Sequence, residues 1–101
     1  MKMIKVKNME NRVGKPVVNQ FIITEISDYL KRTIFQSYNS IVATKVDDGD
    51  TYQIYLDKDT WDYSSTTGRY RNVFLGEDIH ETRRKIRSGE YKLVALNTDL
   101  M

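Results

Sequence analysis

Few side chains in this sequence have the type and spacing that catalysis requires. The 101 residues include one histidine, His80, and no cysteine. A histidine base needs a nucleophile within hydrogen-bond reach, and the sequence offers neither a cysteine nor a glycine-framed serine. A second histidine that could share a metal ion is also missing. We therefore interpret His80 as a solvated residue on the surface of a helix.

The aspartates Asp47, Asp48 and Asp50 carry the side chains that calcium prefers. They do not have the spacing of an EF-hand loop, and no bidentate glutamate follows at the required offset. They surround Gly49, and glycine supplies the positive φ that a tight hairpin needs. We therefore predict a β-hairpin turn at this position.

A second group of aspartates, Asp57, Asp59 and Asp62, follows a predicted strand. Carboxylates two residues apart project on the same side of a strand, so Asp57 and Asp59 could hold a hard cation. We favour the alternative in which all three flank a turn. An enzymatic function would depend on metal binding by Asp57, Asp59 or His80, and we predict instead a non-enzymatic protein without a cofactor.

The stretch Trp61–Leu75, WDYSSTTGRYRNVFL, combines turn-forming residues with large aromatic ones. Its serines and threonines can bond to nearby backbone N–H groups, and Gly68 tolerates a positive φ. A disordered linker would not carry so many aromatic residues. We therefore predict an ordered loop over residues 61–76, with its aromatic ends in the core and its tip in solvent.

Arg69, Tyr70 and Arg71 lie together in this stretch. The combination suits a phosphate or a nucleobase, because arginine binds phosphate and tyrosine stacks on bases. The stretch lacks the glycine–lysine pattern of a phosphate-binding loop. The pattern therefore favours a packed connection with two solvated arginines, and the binding alternative stays open.

Residues 78–88 are predicted to form one short helix. Asp78 is the expected N-cap, Glu81 completes a near capping box, and Gly89 suits the position after the last turn. A helix of this length must dock on the sheet to be stable. Its cations complement the helix dipole, and they could also contact an acidic protein or a nucleic-acid backbone; they are Arg83, Arg84, Lys85 and Arg87.

The alternation of apolar and polar residues predicts an α+β fold, in which an antiparallel-dominated sheet of about five strands has one short helix packed on one face. One domain spans residues 1–101, with an N-terminal strand and loop over residues 1–16. Residues 25–32 have helical spacing as well as turn-forming residues, and we favour a wide hairpin there. The predicted strands are Met1–Lys7, Val17–Thr24, Thr33–Gln36 and Ile41–Val46 with an interruption at Ser37–Ser40, Thr51–Leu56 and Tyr91–Leu96.

One face of this sheet is expected to be buried and the other largely wet, because apolar and polar residues alternate along the strand Thr51–Leu56. Residues Asn97–Met101 are expected to be poorly ordered. The predicted core residues are Phe21, Ile54, Leu56, Trp61 and Phe74.

The composition excludes several classes of protein. No apolar run approaches the roughly 20 residues that span a membrane, and no signal peptide follows Met1. A formal charge of +2 is too small to argue for nucleic acid by itself. The absence of cysteine fits a reducing cytoplasm. Seven tyrosines favour an interaction surface, because tyrosine is enriched at protein interfaces.

Three segments resemble a family of small bacteriophage-encoded proteins, mostly of unknown function. The segments are FQSYNSIVA at Phe35–Ala43, WDYSSTTGRYRNVFLGE at Trp61–Glu77 and SGEYKLVALN at Ser88–Asn97. The family pattern is SYN-S/T-x-V-A followed by Y-S-x-T-T-x-x-Y/H and a later phenylalanine. The resemblance begins at Asn19, covers about two thirds of the chain and departs from the pattern at Glu25–Arg32. It implies a phage origin and a fold, and it implies no catalytic residues.

Together these observations lead us to expect an accessory protein that acts in the host cytoplasm by binding a host or phage protein. Inhibition of host defence or of host machinery is one expected consequence. The alternative is a nucleic-acid-binding module that uses the basic-aromatic stretch and the basic helix. The sequence also leaves open whether a free sheet edge makes a homodimer. The expected partner-binding residues are Tyr63, Arg69, Tyr70, Arg71, Arg83, Arg84 and Arg87.

Overall fold

A computed structural model of the protein describes residues 2–97, which form one sheet of six strands and two helices. This architecture confirms the predicted α+β class with a mostly antiparallel sheet. In chain order, the elements are β1 (Met3–Glu10), β2 (Pro16–Ile26), β3 (Lys31–Ser37), β4 (Ser40–Asp47), β5 (Tyr52–Asp57), α1 (Ser65–Leu75), α2 (Ile79–Ser88) and β6 (Tyr91–Val94).

The sheet order follows the chain order from β1 to β6. The first four connections are short, so the strands that they join are antiparallel. The last pair, β5 and β6, is parallel. Parallel neighbours require a long crossover connection, because the chain must return to the starting end of the sheet. Helices α1 and α2 together form that crossover.

The sheet has six strands because Ser37–Ser40 reverses the chain completely, whereas we predicted an interruption. Tyr38 takes a φ of 55°, which is uncommon for a residue with a side chain. Two hydrogen bonds hold it there: the Tyr38 N–H donates to the Asn19 carbonyl at 2.7 Å, and the Gln36 side chain donates to the Tyr38 carbonyl at 2.8 Å.

The loop predicted over residues 61–76 is wrong, because most of this stretch is helix α1. The Ser64 hydroxyl caps the helix by accepting from the Thr67 N–H, and Gly76 ends it with a φ of 70°. The threonines and Gly68 are poor helix formers. Contacts with the sheet compensate, since the Thr67 hydroxyl bonds to that of Ser37 at 2.8 Å.

Three other local predictions are confirmed. Helix α2 begins after the N-cap Asp78, whose side chain accepts from the Glu81 N–H, and it ends at Gly89 with a φ of 83°. Residues between β2 and β3 form a turn rather than a helix, closed by the Ser27 N–H bonding to the Leu30 carbonyl at 2.8 Å. The aspartate cluster forms the β4–β5 turn, in which Asp48 accepts from nearby backbone N–H groups.

The core lies between the sheet and the two helices. Phe74 of α1 stacks on Phe35 of β3 with ring centroids 5.8 Å apart. The Lys45 ammonium lies 4.3 Å from the centre of the Phe74 ring and donates to the Phe74 carbonyl. Burial lowers the pKa of Lys45. The buried apolar residues are Met9, Phe35, Val42, Ala43, Leu56, Tyr70, Phe74 and Tyr91.

The predicted core is confirmed for Leu56 and Phe74, and Ile54 and Trp61 pack partly buried against it. Phe21 is half-buried and lies on the other face of the sheet. Phe21 pairs across the strands with Asn8 and Gln36, whereas the next residue, Ile22, pairs with Phe35 of the core. Because successive side chains of a strand point to opposite faces, Phe21 points away from the helices.

Glu77 joins the two helices to β6 through a buried hydrogen-bond network. Its carboxylate accepts from Lys85 at 2.8 Å, from Tyr91 at 2.9 Å and from Thr82 at 2.6 Å. Burial alone would raise the pKa of Glu77, but these three hydrogen bonds outweigh it and lower that pKa. Burial and the bond to Glu77 raise the pKa of Tyr91 to about 12.

The Phe74→Ala variant should lose about 3–5 kcal/mol of unfolding free energy, because it removes the ring that fills the space between α1 and the sheet. Urea denaturation followed by circular dichroism measures the loss. The neighbouring Val73, which is 59% exposed, is the control; Val73→Ala should change the unfolding free energy by about 0.5 kcal/mol or less. Equal stabilities of the two variants would contradict the placement of α1.

The Glu77 network should make stability decline in acid. Folding lowers the pKa of Glu77, so its contribution is complete above the ordinary value of 4.5 and is lost as the pH falls through the folded-state pKa. The difference in unfolding free energy between the wild type and Glu77→Gln should therefore become smaller as the pH falls below 4.5. A stability difference that is independent of pH would show that the ion pair contributes nothing.

Candidate protein-binding site

The seven residues expected to bind a partner occupy four different environments. Arg71 lies in the interior. Arg69 and Tyr70 lie at a cleft between α1 and the β1–β2 turn. Tyr63 is 48% exposed just before α1. The remaining residues are exposed on α2; they are Arg83, Arg84 and Arg87.

Arg71 is a structural residue, and its expected role at a binding surface is wrong. The side chain is 2% exposed and sits beneath the start of α1. Its guanidinium donates to the Trp61 carbonyl at 2.8 Å and to the Asp62 carboxylate at 3.1 Å, and it lies over the Trp61 ring. The guanidinium packs against Gly68, where an added Cβ would make ordinary van der Waals contact with it at 3.5 Å. Arg71 therefore ties the chain before α1 to the helix.

The hairpin–helix cleft is the open space between the β1–β2 turn and α1, with a volume of about 900 Å³. Arg69, Tyr70 and Val73 form the α1 wall. Of these, Arg69 and Val73 are exposed, whereas Tyr70 is 9% exposed and forms part of the core. The opposite wall consists of Glu10, Asn11, Arg12 and Val13.

The hairpin wall has a defined shape. The Asn11 side chain accepts from the N–H groups of Val13 and Lys15, each at 3.0 Å. The Asn11 N–H in turn donates to the Lys15 carbonyl at 2.9 Å. Beneath the turn, Met9 is 6% exposed and belongs to the core. A wall held in this way loses little conformational entropy when a partner binds.

A β-bulge directs the hairpin. The pairing register between β1 and β2 shifts between Asn8 and Glu10, and Asn19 on the bulged side takes a φ of 65°. Such bulges bend a strand and increase its twist. The bend is consistent with the burial of Met9, which brings the turn to α1. From the sequence we predicted only a polar loop over residues 8–16. The isolated apolar residue Val13, beside Gly14, was the feature of the sequence that could have indicated a wall of the cleft here.

Two of the three arginines of α2 form ion pairs with nearby acids. Arg83 lies 3.4 Å from Asp62, and Arg84 lies 2.6 Å from Glu81. The hydrogen bond to Glu81 raises the pKa of Arg84. Arg69 lies on the other helix, α1, and faces the β1–β2 hairpin. The expected single basic surface is therefore two separate groups of charges.

The carboxylates that could have bound a cation serve structural roles. Asp57 is 2% exposed and accepts from the N–H groups of Leu96, Asp59 and Thr60 at 2.8–3.0 Å. Burial would raise the pKa of Asp57, but these bonds lower it.

Asn97, expected to be poorly ordered, bonds to both backbone groups of Ile41. Residues 98–101 lie outside the described part of the chain. Among residues 2–97 no group of three or more potential metal ligands occurs.

The comparisons with known proteins identify a family and no activity. A family model described as "Family of unknown function (DUF8033)" matches residues 4–90, so the chain belongs to this family. No curated protein matches the chain, and no solved structure does. Neither helix within residues 2–97 is long and apolar enough to cross a membrane.

The two arginines of α1 should contribute very differently to the unfolding free energy. Arg71→Ala should lower the unfolding free energy by about 2–4 kcal/mol, because it leaves the Asp62 carboxylate and the Trp61 carbonyl without their buried donor. Arg69→Ala is the matched control and should change it by no more than about 0.5 kcal/mol. Thermal and urea unfolding provide the measurement. A fully stable Arg71→Ala variant would contradict the structural role of this residue.

Proposed function

We propose that this protein is a non-enzymatic accessory protein of a bacteriophage and acts by binding a host or phage protein. The resemblance of three of its segments to small phage-encoded proteins supports the phage origin. The host cytoplasm is then the compartment in which it acts, and a chain without cysteine suits that compartment. Occupying a site on the partner would inhibit host defence or host machinery.

The hairpin–helix cleft is the observation on which this proposal rests. Both of its walls present apolar side chains to solvent, with Val13 75% exposed and Val73 59% exposed. Exposed apolar residues rimmed by polar ones are typical of protein interfaces. A small-molecule site would instead enclose most of its ligand. The cleft therefore suits a protruding segment of another protein.

The charges of the cleft indicate the chemistry of that segment. Arg12 and Arg69 contribute two positive charges and Glu10 contributes one negative charge, which leaves the cleft with an excess of one cation. A carboxylate on the partner could accept hydrogen bonds from Arg69 while an apolar side chain lies between Val13 and Val73. Arginine beside aromatic and apolar residues is a frequent composition of binding hot spots. We therefore expect an amphipathic segment with at least one acidic residue.

The alternative function, nucleic-acid binding, has weaker support from the same geometry. Arg71 is unavailable, and Arg83 and Arg84 already have acidic partners. Phosphate contacts would require these cations to exchange those partners. Retardation of single- and double-stranded DNA and RNA at low salt distinguishes the alternatives, because phosphate binding falls steeply as salt increases. Complexes with this salt dependence would replace the protein-binding proposal.

Variants of the cleft should lose the partner without losing the fold. In pull-downs from bacterial host lysate with quantitative mass spectrometry, the partner should be retained by the wild type and depleted with Arg69→Ala and Val73→Lys. Titration calorimetry with the purified partner should show each variant weakened by at least about 1 kcal/mol, roughly fivefold in Kd.

Tyr29→Lys serves as the matched control, because Tyr29 is 87% exposed in the β2–β3 turn, at the opposite end of β2 from the hairpin. This variant should retain the partner with unchanged Kd. If all three variants bind the partner as the wild type does, the cleft is not the binding site.

A further inference from the structure

The face of the sheet that points away from the helices is apolar. Cross-strand neighbours place one row of residues across all six strands: Val6, Ile23, Ile34, Thr44, Tyr55 and Lys92. Paired residues of neighbouring strands point to the same side, and the adjacent positions Phe35, Ala43 and Leu56 belong to the core under the helices. We call this second surface the open sheet face.

Within residues 2–97 both helices pack on the other face, and only the segment after β6 reaches this one, where Leu96 lies beside Thr44, which is 6% exposed. Val6 is 62% exposed and Ile4 beside it is 56% exposed. Toward β6, a groove of about 300 Å³ is lined by Ile34, Val46 and Tyr55, among others. A one-sided antiparallel sheet ordinarily carries polar residues on its solvent side. A continuous apolar patch there is typical of a surface that binds another protein.

We propose that the open sheet face is the interface of a homodimer. Its dimensions match this use. Neighbouring strands lie about 4.8 Å apart, and residues on the same face of one strand lie about 7 Å apart. Five strands with three rows of residues therefore cover roughly 600 Å² once side-chain radii are included. Stable interfaces bury about 600–1,000 Å² per partner. The Cα extents of 36 × 34 × 31 Å leave room for such a face.

The charges on this face also favour a second copy. Those at its margin already form pairs, with Glu25 3.5 Å from Arg32 and 3.2 Å from Lys2. The five residues of the central row from Val6 to Tyr55 carry no charge at neutral pH, and the charged sixth residue, Lys92, lies on the edge strand β6. A two-fold axis would therefore bring apolar residues onto apolar residues and leave the paired charges at the rim. Two sheets can pack in this way about 10 Å apart.

The dimer leaves the hairpin–helix cleft accessible, because Arg69 and Val73 are on α1, on the opposite side of the sheet. Each dimer would present two clefts facing outward. A partner with repeated copies of the binding segment would then be held by two sites at once, which raises the effective affinity. Dimerisation does not rest on the proposed function, and either can fail while the other holds.

The dimer is tested by light scattering coupled to size exclusion and by sedimentation equilibrium. The protein concentration should cover a range of about 1 to 200 µM, in which dimers with interfaces of this size dissociate measurably. The wild type should have twice the chain mass of 11.9 kDa. Ile34→Lys at the centre of the row should raise the dimer Kd by at least about 100-fold, because it brings two like charges into an apolar contact. Tyr29→Lys, which introduces the same residue type in the exposed β2–β3 turn, should leave the dimer Kd unchanged.

Val6→Lys keeps the test decisive if Ile34→Lys does not fold. Val6 belongs to the same row but lies on the edge strand β1 and is already mostly exposed, so its replacement should preserve the circular dichroism spectrum while weakening the dimer. The proposal is overturned if the wild type is a monomer at the highest concentration. It is overturned equally if folded Ile34→Lys or Val6→Lys dimerises with the wild-type Kd.

Discussion

The contact between Phe74 and Phe35 places helix α1 on the sheet, and the rest of the helical layer depends on it. Lys45 reinforces this contact by donating to the Phe74 carbonyl while its ammonium lies over the Phe74 ring. Because α1 and α2 form one crossover, the seating of α1 also determines where α2 starts. The Glu77 carboxylate then fixes α2 against β6 through Lys85 and Tyr91. The parallel strand β6 thus joins the sheet beside β5 at the end of this crossover.

A crossover that lies entirely on one side of the sheet leaves two kinds of surface. On the helix side, the β1–β2 hairpin bends toward α1 and creates a cleft with mixed apolar and charged walls. On the other side, within residues 2–97, no helix packs on the sheet. The first surface suits a specific segment of another protein, because it offers hydrogen-bond donors and a concave shape. The second is flat and apolar, so it suits another flat apolar surface.

Ion pairing decides which cations are free to act. Arg71 is used inside the protein, while Arg83 and Arg84 are held by Asp62 and Glu81. Arg69 stands apart on the wall of the cleft. The arginines of the sequence are therefore divided in three dimensions: Arg69 lies with Arg12 in the cleft, beside exposed apolar residues, whereas the arginines of α2 lie elsewhere. Our proposal of a protein partner rather than nucleic acid rests on this distribution.

The features that the sequence determined by itself are those with local physical causes. The β4–β5 turn depends on Asp48 and Gly49, and helix α2 depends on its caps Asp78 and Gly89; each signal lies within a few residues of the structure that it produces. The class of fold followed from the alternation of apolar residues along the strands. The short final strand also followed, although it ends at Val94 rather than Leu96.

Only the tertiary structure decided the remaining features, because their causes are distant in sequence. Helix α1 forms despite its threonines and Gly68, since contacts with β3 and β4 outweigh weak local propensity. Arg69 and Arg71 are indistinguishable by composition, and only the packing of Trp61 and Asp62 makes one of them exposed and the other buried. Likewise, alternation shows that a strand has two faces, but the path of the crossover decides which apolar face is covered and which is left to another molecule.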